Sequence, residues 1–236
     1  MDLRCPHLYY KIMNMNDIYH VLSRGVDKRK IFLNKQDYFR FVHNLFVLNN
    51  QDVVYTTHYN KTVDLRCPQI QKKPRKLLVN IHVFCLMPNH YHLLLSPRIE
   101  DGIPRFMKKI NMAYAKYFNQ KYNRKGTLFE SRYKSIEVIN ESHFYYLPYY
   151  IHFNPLDLKF SEWRKGELKD YKEATKLLEN YYWSSHLDYM GKKNFPSVTN
   201  RKFLLEVFNG EEGYKKSIDQ RLKDLELEDL KELILE

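Results

Sequence analysis

Leu77–Ser96 reads LLVNIHVFCLMPNHYHLLLS, and its pattern decides the fold. Two apolar runs, Leu77–Leu86 and His90–Ser96, flank Met87-Pro88-Asn89. Proline presets φ and asparagine hydrogen-bonds its own backbone, so this tripeptide reads as a tight turn between antiparallel strands. Side chains alternate faces along a strand. His90 and His92 therefore share one face, roughly 6.6 Å apart, and Tyr91 turns into the packing on the other. Two imidazoles so placed can hold one metal, but a minimal site needs a third ligand from elsewhere. With 10 histidines in 236 residues, such a tripeptide arises readily by chance and is weak evidence alone.

Working outward, Asp17–Ser23 reads as a strand closed by Arg24-Gly25. Lys35–Leu48 reads as a helix, with Tyr38, Phe41, Val42, Leu45 and Phe46 on one stripe. A strand near Val53–His58 and a polar loop, Asn60–Lys76, precede the hairpin. A helix over Ile103–Tyr122 and a strand over Tyr133–Ile139 follow it. A third helix starts after Asn140 or Ser142 and must stop before Pro155, which disfavours helical geometry at Asn154. The order strand–helix–strand–strand–helix–strand predicts an α+β, ferredoxin-like (split βαβ) fold. Its antiparallel sheet carries helices on one face, and a C-terminal helical extension follows. The expected organisation is an N-terminal extension over 1–15, a main domain over 16–160 with a basic insertion at 60–76, its C-terminal part over 161–210, and an acidic amphipathic helix over 211–236. The pentapeptide DLRCP occurs at Asp2–Pro6 and again at Asp64–Pro68, without making a repeat architecture.

Composition narrows the partner. Lys and Arg number 39 against 28 Asp and Glu, a net charge of +11, and aromatics make up 15% with 20 tyrosines. Phosphates attract the cations and bases stack on the rings, so a nucleic acid is favoured, with an anionic membrane surface as the competing polyanion. From Glu211 onward the net charge is −4, which leaves +15 on residues 1–210. Lys61–Lys76 carries six basic residues and Pro104–Lys134 nine, each with one acidic residue; the second interleaves seven aromatic rings. Only 7 glycines argue against a Gly-rich phosphate loop. Cys5, Cys67 and Cys85 form no CxxC pair, which argues against a disulfide framework or a cysteine zinc site. With no apolar signal core and no membrane-length run, the expectation is a soluble, cytoplasmic, nucleoid-associated protein with no membrane partner. The amphipathic segment Ser217–Glu236 either docks on the chain's own core or pairs two copies, so monomer and homodimer both stand.

Phe144–Pro155, FYYLPYYIHFNP, is the other unusual stretch. On a helix Tyr150 and Asn154 are i and i+4 and share a face. A tyrosine beside an amide oxygen ligand would put an attacking group and a metal at one point. Phenol is a poor nucleophile near its ordinary pKa of about 10, and a divalent cation polarising a phosphate offsets that. Tyr149 points about 100° away, and Tyr146 shares the Tyr150 face one turn earlier. Pro148 either kinks this helix or starts it afresh. Without further context a tyrosine-rich helix is also a plain aromatic core face.

SRGV (Ser23–Val26), LMPNHYHLLL (Leu86–Leu95), FESRYKS (Phe129–Ser135), YIHFNP (Tyr150–Pro155) and YYWSSHLDYMG (Tyr181–Gly191) occur in this order. Together they resemble the single-tyrosine transposases, most closely the REP-associated tyrosine transposases related to the insertion-sequence 200/605 enzymes. The resemblance runs from about Ile18 to Gly191. It implies a His-hydrophobic-His (HUH) endonuclease on a ferredoxin-like core that cuts and rejoins single-stranded DNA bearing imperfect-palindrome hairpins. It further implies that His90, His92 and Asn154 hold Mg²⁺ or Mn²⁺. Tyr150 would then join the 5′-phosphate and leave a free 3′-hydroxyl. Ligand chemistry alone would also admit zinc.

Arg24, Lys108, Lys109, Lys116, Arg124, Lys125, Arg132 and Lys134 are candidate phosphate contacts. Tyr117, Phe118 and Tyr122 are candidate stacking rings, with Phe118 and Tyr114 equally placed for the core, and Trp183 is read as structural. Two further readings compete with the transposase. One is a non-catalytic module that binds hairpin DNA or RNA on the same sheet. The other is a phosphodiesterase that activates water and forms no covalent adduct.

Overall fold

A computed structural model of the chain describes residues 18–53, 75–168 and 170–224. The hairpin forms from β2 (Val79–Met87) and β3 (His90–Pro97), with Met87 opposite His90 across the turn. Its turn is tied to the SRGV loop: Ile31 N–H donates to the Pro88 carbonyl at 2.8 Å and Gly25 N–H to the Asn89 carbonyl at 2.8 Å. Gly25 is required there by space, since a Cβ would stand 2.4 Å from the Arg29 carbonyl oxygen and 2.7 Å from Ile31. With β1 (Tyr19–Arg24) and β4 (Lys134–Glu137), the hairpin makes an antiparallel sheet of order β2-β3-β1-β4. This is the expected split βαβ plan. It is completed without the strand expected near 53–58: Val53 is exposed and irregular, and 54–58 lie outside the described residues. The DLRCP copies and most of the basic insertion lie outside them too.

Helices α1 (Lys35–Val47) and α2 (Gly102–Lys121) cover one face. Beneath them lie Val21 of β1, Val79, Ile81, Phe84 and Leu86 of β2, and Tyr91, Leu93 and Leu95 of β3. The step from Ile81 to Phe84 breaks simple alternation because a bulge at His82 puts one extra residue in β2, so Val83, Cys85 and Met87 face the opposite side. That second face is buried under the extension: α3 (Glu141–Phe153), α4 (Tyr171–Asn180), α5 (His186–Tyr189), α6 (Lys202–Val207) and α7 (Gly210–Asp224). The described part of the C-terminal amphipathic segment docks on the chain's own core through Tyr214, Ile218 and Leu222; residues 225–236 lie outside the described residues.

Two polar devices fix the layers. On the first face, Asn34 caps α1 in a capping box with Asp37. The buried Asp37 carboxylate also accepts from the Tyr117 hydroxyl at 2.9 Å, the Tyr122 hydroxyl at 2.7 Å and the Lys121 ammonium at 2.6 Å, which ties α1 to the end of α2. Burial alone would raise its pKa, but these hydrogen bonds outweigh it and hold the carboxylate below its ordinary range. Asp37→Ala removes the shared acceptor of all three donors. It is expected to cost about 3 kcal/mol, read as a lowered urea midpoint at unchanged slope. A loss under about 1 kcal/mol would contradict this clamp.

On the second face the WSSH motif covers the β2 edge. Leu86 N–H donates to the Trp183 carbonyl at 2.8 Å, Ser185 N–H to the Phe84 carbonyl at 3.0 Å, and Phe84 N–H to Ser185 Oγ at 3.0 Å. Trp183 itself stacks on Tyr38 with centroids 4.6 Å apart, the structural role expected of it. From Ser185 a buried chain continues to His152 Nε2 (2.8 Å), from His152 Nδ1 to the Tyr214 hydroxyl (2.7 Å) and on to His186 Nδ1 (2.9 Å). The tyrosine-rich helix is thereby locked between the sheet edge and α7.

Candidate active site

Alternation along β3 puts His90 and His92 on the second face, with their ring centroids 4.9 Å apart. Tyr91 turns to the first face, where its ring lies 4.6 Å from Phe41 and its hydroxyl donates to Asn111. Antiparallel pairing sets Leu22 opposite His92 and Arg24 opposite His90. The face of β1 that carries Leu22 and Arg24 also carries His20. His20 stacks on His92 at 5.1 Å between centroids, with its Nε2 2.9 Å from His92 Nδ1. His90 Nδ1 lies 2.7 Å from Asn89 Oδ1. Each histidine of the pair thus has its Nδ1 held by a neighbour, an arrangement that fixes a metal-binding imidazole and presents Nε2. Burial drives the pKa of His92 down to about 3, helped by the positive charges of Arg164 and Arg24, so it stays neutral, the form in which imidazole ligates.

Helix α3 delivers the tyrosine. It is apolar almost all round and buried, as its place between sheet and extension requires. Asn140 caps it, accepting from His143 N–H at 2.7 Å. The helix runs unbroken from Glu141 to Phe153 with Pro148 inside, so it does not start afresh at the proline. The α-helix ends at Phe153, as Pro155 demands. Asn154 nevertheless keeps helical dihedrals (φ −48°, ψ −37°), against expectation, because the chain continues in a 3₁₀ turn, Asn154–Leu158, whose first positions need no N–H from the proline.

Tyr150 lies edge-on to His92, with centroids 5.8 Å apart, and to His20 at 5.9 Å. Tyr146 sits one turn away at 6.0 Å on the same face, while Tyr149 packs on the far side against Phe208 and Tyr214. Asn154 donates through Nδ2 to the Tyr150 carbonyl at 2.9 Å, and its Oδ1 accepts from Arg164 at 3.1 Å. The Arg164 guanidinium also donates to the Tyr150 hydroxyl at 2.9 Å and grips Asp157 through Nε (3.0 Å) and a terminal nitrogen (2.7 Å). Tyr150 is only 2% exposed, so this oxygen sits in a protein environment with a cation against it.

The expected residues His90, His92, Tyr150 and Asn154 are thus gathered on one face, together with two that sequence reasoning missed. Strand alternation signals His20, because β1 pairs with β3 and His20 is two residues from Leu22. Arg164 lies beyond the recognisable motifs, in the charged run SEWRK, and nothing in its neighbours signals it. Among the described residues no three His, Cys, Asp or Glu side chains converge as a metal-binding group. The Asn154 amide oxygen, expected as the third ligand, here accepts from Arg164.

The basic candidates divide by what they already hold. Arg24 and Lys134 line a small hollow with Leu22, Ser23, Glu130 and Ser131, beside the histidine face. Lys108, Lys116, Lys125 and Arg132 are exposed. Lys109 instead binds the carbonyls of Asn50 and Asp52, and Arg124 binds Asn119 Oδ1 and the Thr127 carbonyl, so both brace loops. Tyr117 and Tyr122 spend their hydroxyls on Asp37, and Phe118 and Tyr114 are core.

A family model described as "Transposase IS200 like" matches residues 38–154, a span that contains His90, His92 and Tyr150 and ends on Asn154. No curated protein matches the chain in sequence. Among solved structures, a REP-associated tyrosine transposase bound to a REP hairpin is similar at 12% identity with a TM-score of 0.46, over 80% of this chain and 87% of that one. No helix among the described residues is long and apolar enough to cross a membrane.

Proposed function

Through residues 38–154 the chain belongs to the IS200-like transposase family, and from that premise we propose that it cleaves and rejoins single-stranded, hairpin-forming DNA through a covalent link to Tyr150. The observation that carries this reading is the meeting of the Tyr150 ring with His92 and His20 on one sheet face, its hydroxyl against Arg164. A module that only binds DNA has no use for a buried phenol beside a histidine cluster, and a water-activating hydrolase has no use for the phenol. The donor set fits a divalent cation: two imidazoles oriented by Asn89 and His20, and one amide oxygen. His90, His92 and Asn154 would hold Mg²⁺ or Mn²⁺, which when bound would polarise the scissile phosphate.

The chain's own residues supply the rest. Tyr150 presents the attacking oxygen, and Asn154 ties its amide to the Tyr150 carbonyl so that the two stay in register. Arg24 and Lys134, which line one small hollow, would hold backbone phosphates, a contact that weakens with salt. Breaking the phosphodiester at a phenol conserves its energy in the phosphotyrosine, so rejoining to a 3′-hydroxyl needs no nucleotide cofactor.

The test is incubation with hairpin-bearing single-stranded DNA and Mn²⁺, followed by a denaturing gel. A protein–DNA band that disappears on chelation with EDTA is expected. Cleavage without such a band would favour a phosphodiesterase, and binding without cleavage a non-catalytic module; either would overturn the reading.

A further inference from the structure

We propose that Arg164 is a catalytic residue of the tyrosine step, a fixed cation that stabilises the charge developing on the Tyr150 oxygen. The inference rests on the reading of Tyr150 as nucleophile and extends it to a residue outside the matched span 38–154. Three observations carry it. The guanidinium is within hydrogen-bond distance of the reacting atom itself, donating to the Tyr150 hydroxyl at 2.9 Å. It is held there by two N–H bonds to Asp157, whose carboxylate is in turn fixed by the Trp163 indole N–H. The same guanidinium donates to Asn154 Oδ1 at 3.1 Å, so one planar group spans the attacking oxygen and the proposed amide ligand. Arg164 and Asp157 are mostly shielded, with side-chain exposures of 18% and 26%, and a preorganised cation in such surroundings acts on a developing charge with little competition from water.

In the step itself, the Tyr150 oxygen forms a bond to phosphorus and the P–O3′ bond breaks. The phenolic proton ends on the departing 3′ oxygen, which leaves as a hydroxyl. As the proton departs, negative charge gathers on the phenol oxygen before the new bond is complete. Arg164 is positioned to share its hydrogen bond most strongly at that moment and less so with the neutral phenol. Rejoining runs the same path in reverse, with Arg164 stabilising the phenolate as it leaves. Asp157 is a positioning residue in this scheme, since it acts only through Arg164.

The test compares wild type with Arg164→Ala, Arg164→Gln and Asp157→Asn. The readouts are hairpin affinity, the single-turnover rate of adduct formation at saturating DNA, and thermal melting. Loss of one preorganised donor is expected to slow adduct formation by about 10²–10³-fold in the two Arg164 variants, with affinity changed less than about threefold. Added guanidinium, at tens of millimolar, should restore about tenfold of the rate to Arg164→Ala, a rescue that a merely structural role would not give. Asp157→Asn should show an intermediate loss. If Arg164→Ala fails to fold, Arg164→Gln, which retains a donor for Asp157, carries the same comparison. A folded Arg164 variant that forms adduct within threefold of wild type would overturn the inference, as would a loss confined to DNA affinity. Absence of any adduct from wild type would instead sink the reading of Tyr150 beneath it.

Discussion

Tyr150→Phe is expected to remove the covalent DNA adduct, a loss on the order of 10⁵-fold or more, because the attacking atom itself is gone. The variant should fold. Phenylalanine keeps the edge contacts with His92 and His20 and the packing near Trp163, and forfeits the hydrogen bond from Arg164, worth about 1 kcal/mol. Tyr149→Phe is expected to leave most of the adduct, since Tyr149 lies against Phe208 and Tyr214 on the far side of α3. Tyr146 is the informative comparison, being on the same face but one turn from the histidine pair, with burial raising the pKa of its phenol. Adduct lost in Tyr146→Phe and retained in Tyr150→Phe would move the nucleophile by one helical turn.

The second large effect is on stability. Neutral histidines are buried in β2 and in the extension packed on it: burial drives His82 down to about 4 and His186 to about 3, the latter helped by Lys192, and holds His152 well below its ordinary value. In the unfolded chain each would titrate near 6.5. Above that pH neither state binds the proton and nothing is lost. Below it the unfolded chain takes up protons that the folded chain refuses, so stability falls as pH drops through 6.5 toward the folded values. Three such histidines together should cost on the order of 5 kcal/mol between pH 6.5 and 5, a large part of an ordinary domain's stability. The melting temperature should hold between pH 8 and 7 and collapse near pH 5. A melting temperature unchanged between pH 7.5 and 5 would show that these rings are not held neutral by the fold.

Most of the sheet was legible because period-two alternation and turn chemistry are local. The LLVNIHVFCLMPNHYHLLLS run yields the hairpin, the turn and the opposed faces of His92 and Tyr91 directly. The bulge at His82 was not legible, because an extra residue in a continuous apolar strand leaves alternation ambiguous. Covering of the second face by α3 and the helices after it was not read from the sequence, which placed helices on one face, although β2 is apolar on both faces and a sheet buried on both sides needs a layer on each. The helical geometry of Asn154 was missed because a proline's bias on its predecessor yields when the next turn is 3₁₀. The candidate site was half legible. His90, His92, Tyr150 and Asn154 stand in compact motifs, whereas Arg164 reaches the phenol from ten residues beyond Asn154, through a turn whose path depends on tertiary packing. Lys109 and Arg124 look like DNA contacts in sequence, since charge alone does not distinguish an exposed cation from one bound to backbone carbonyls.

The most direct test is to identify the residue that carries the nucleotide. Adduct trapped on hairpin DNA with Mn²⁺ is digested with nuclease and protease, and the modified peptide is sequenced by mass spectrometry. A 5′-phosphonucleotide on the Tyr150 oxygen is the expected result. The same mass on Tyr146, Tyr149 or any residue off this sheet face would contradict the placement of the nucleophile between His92 and Arg164.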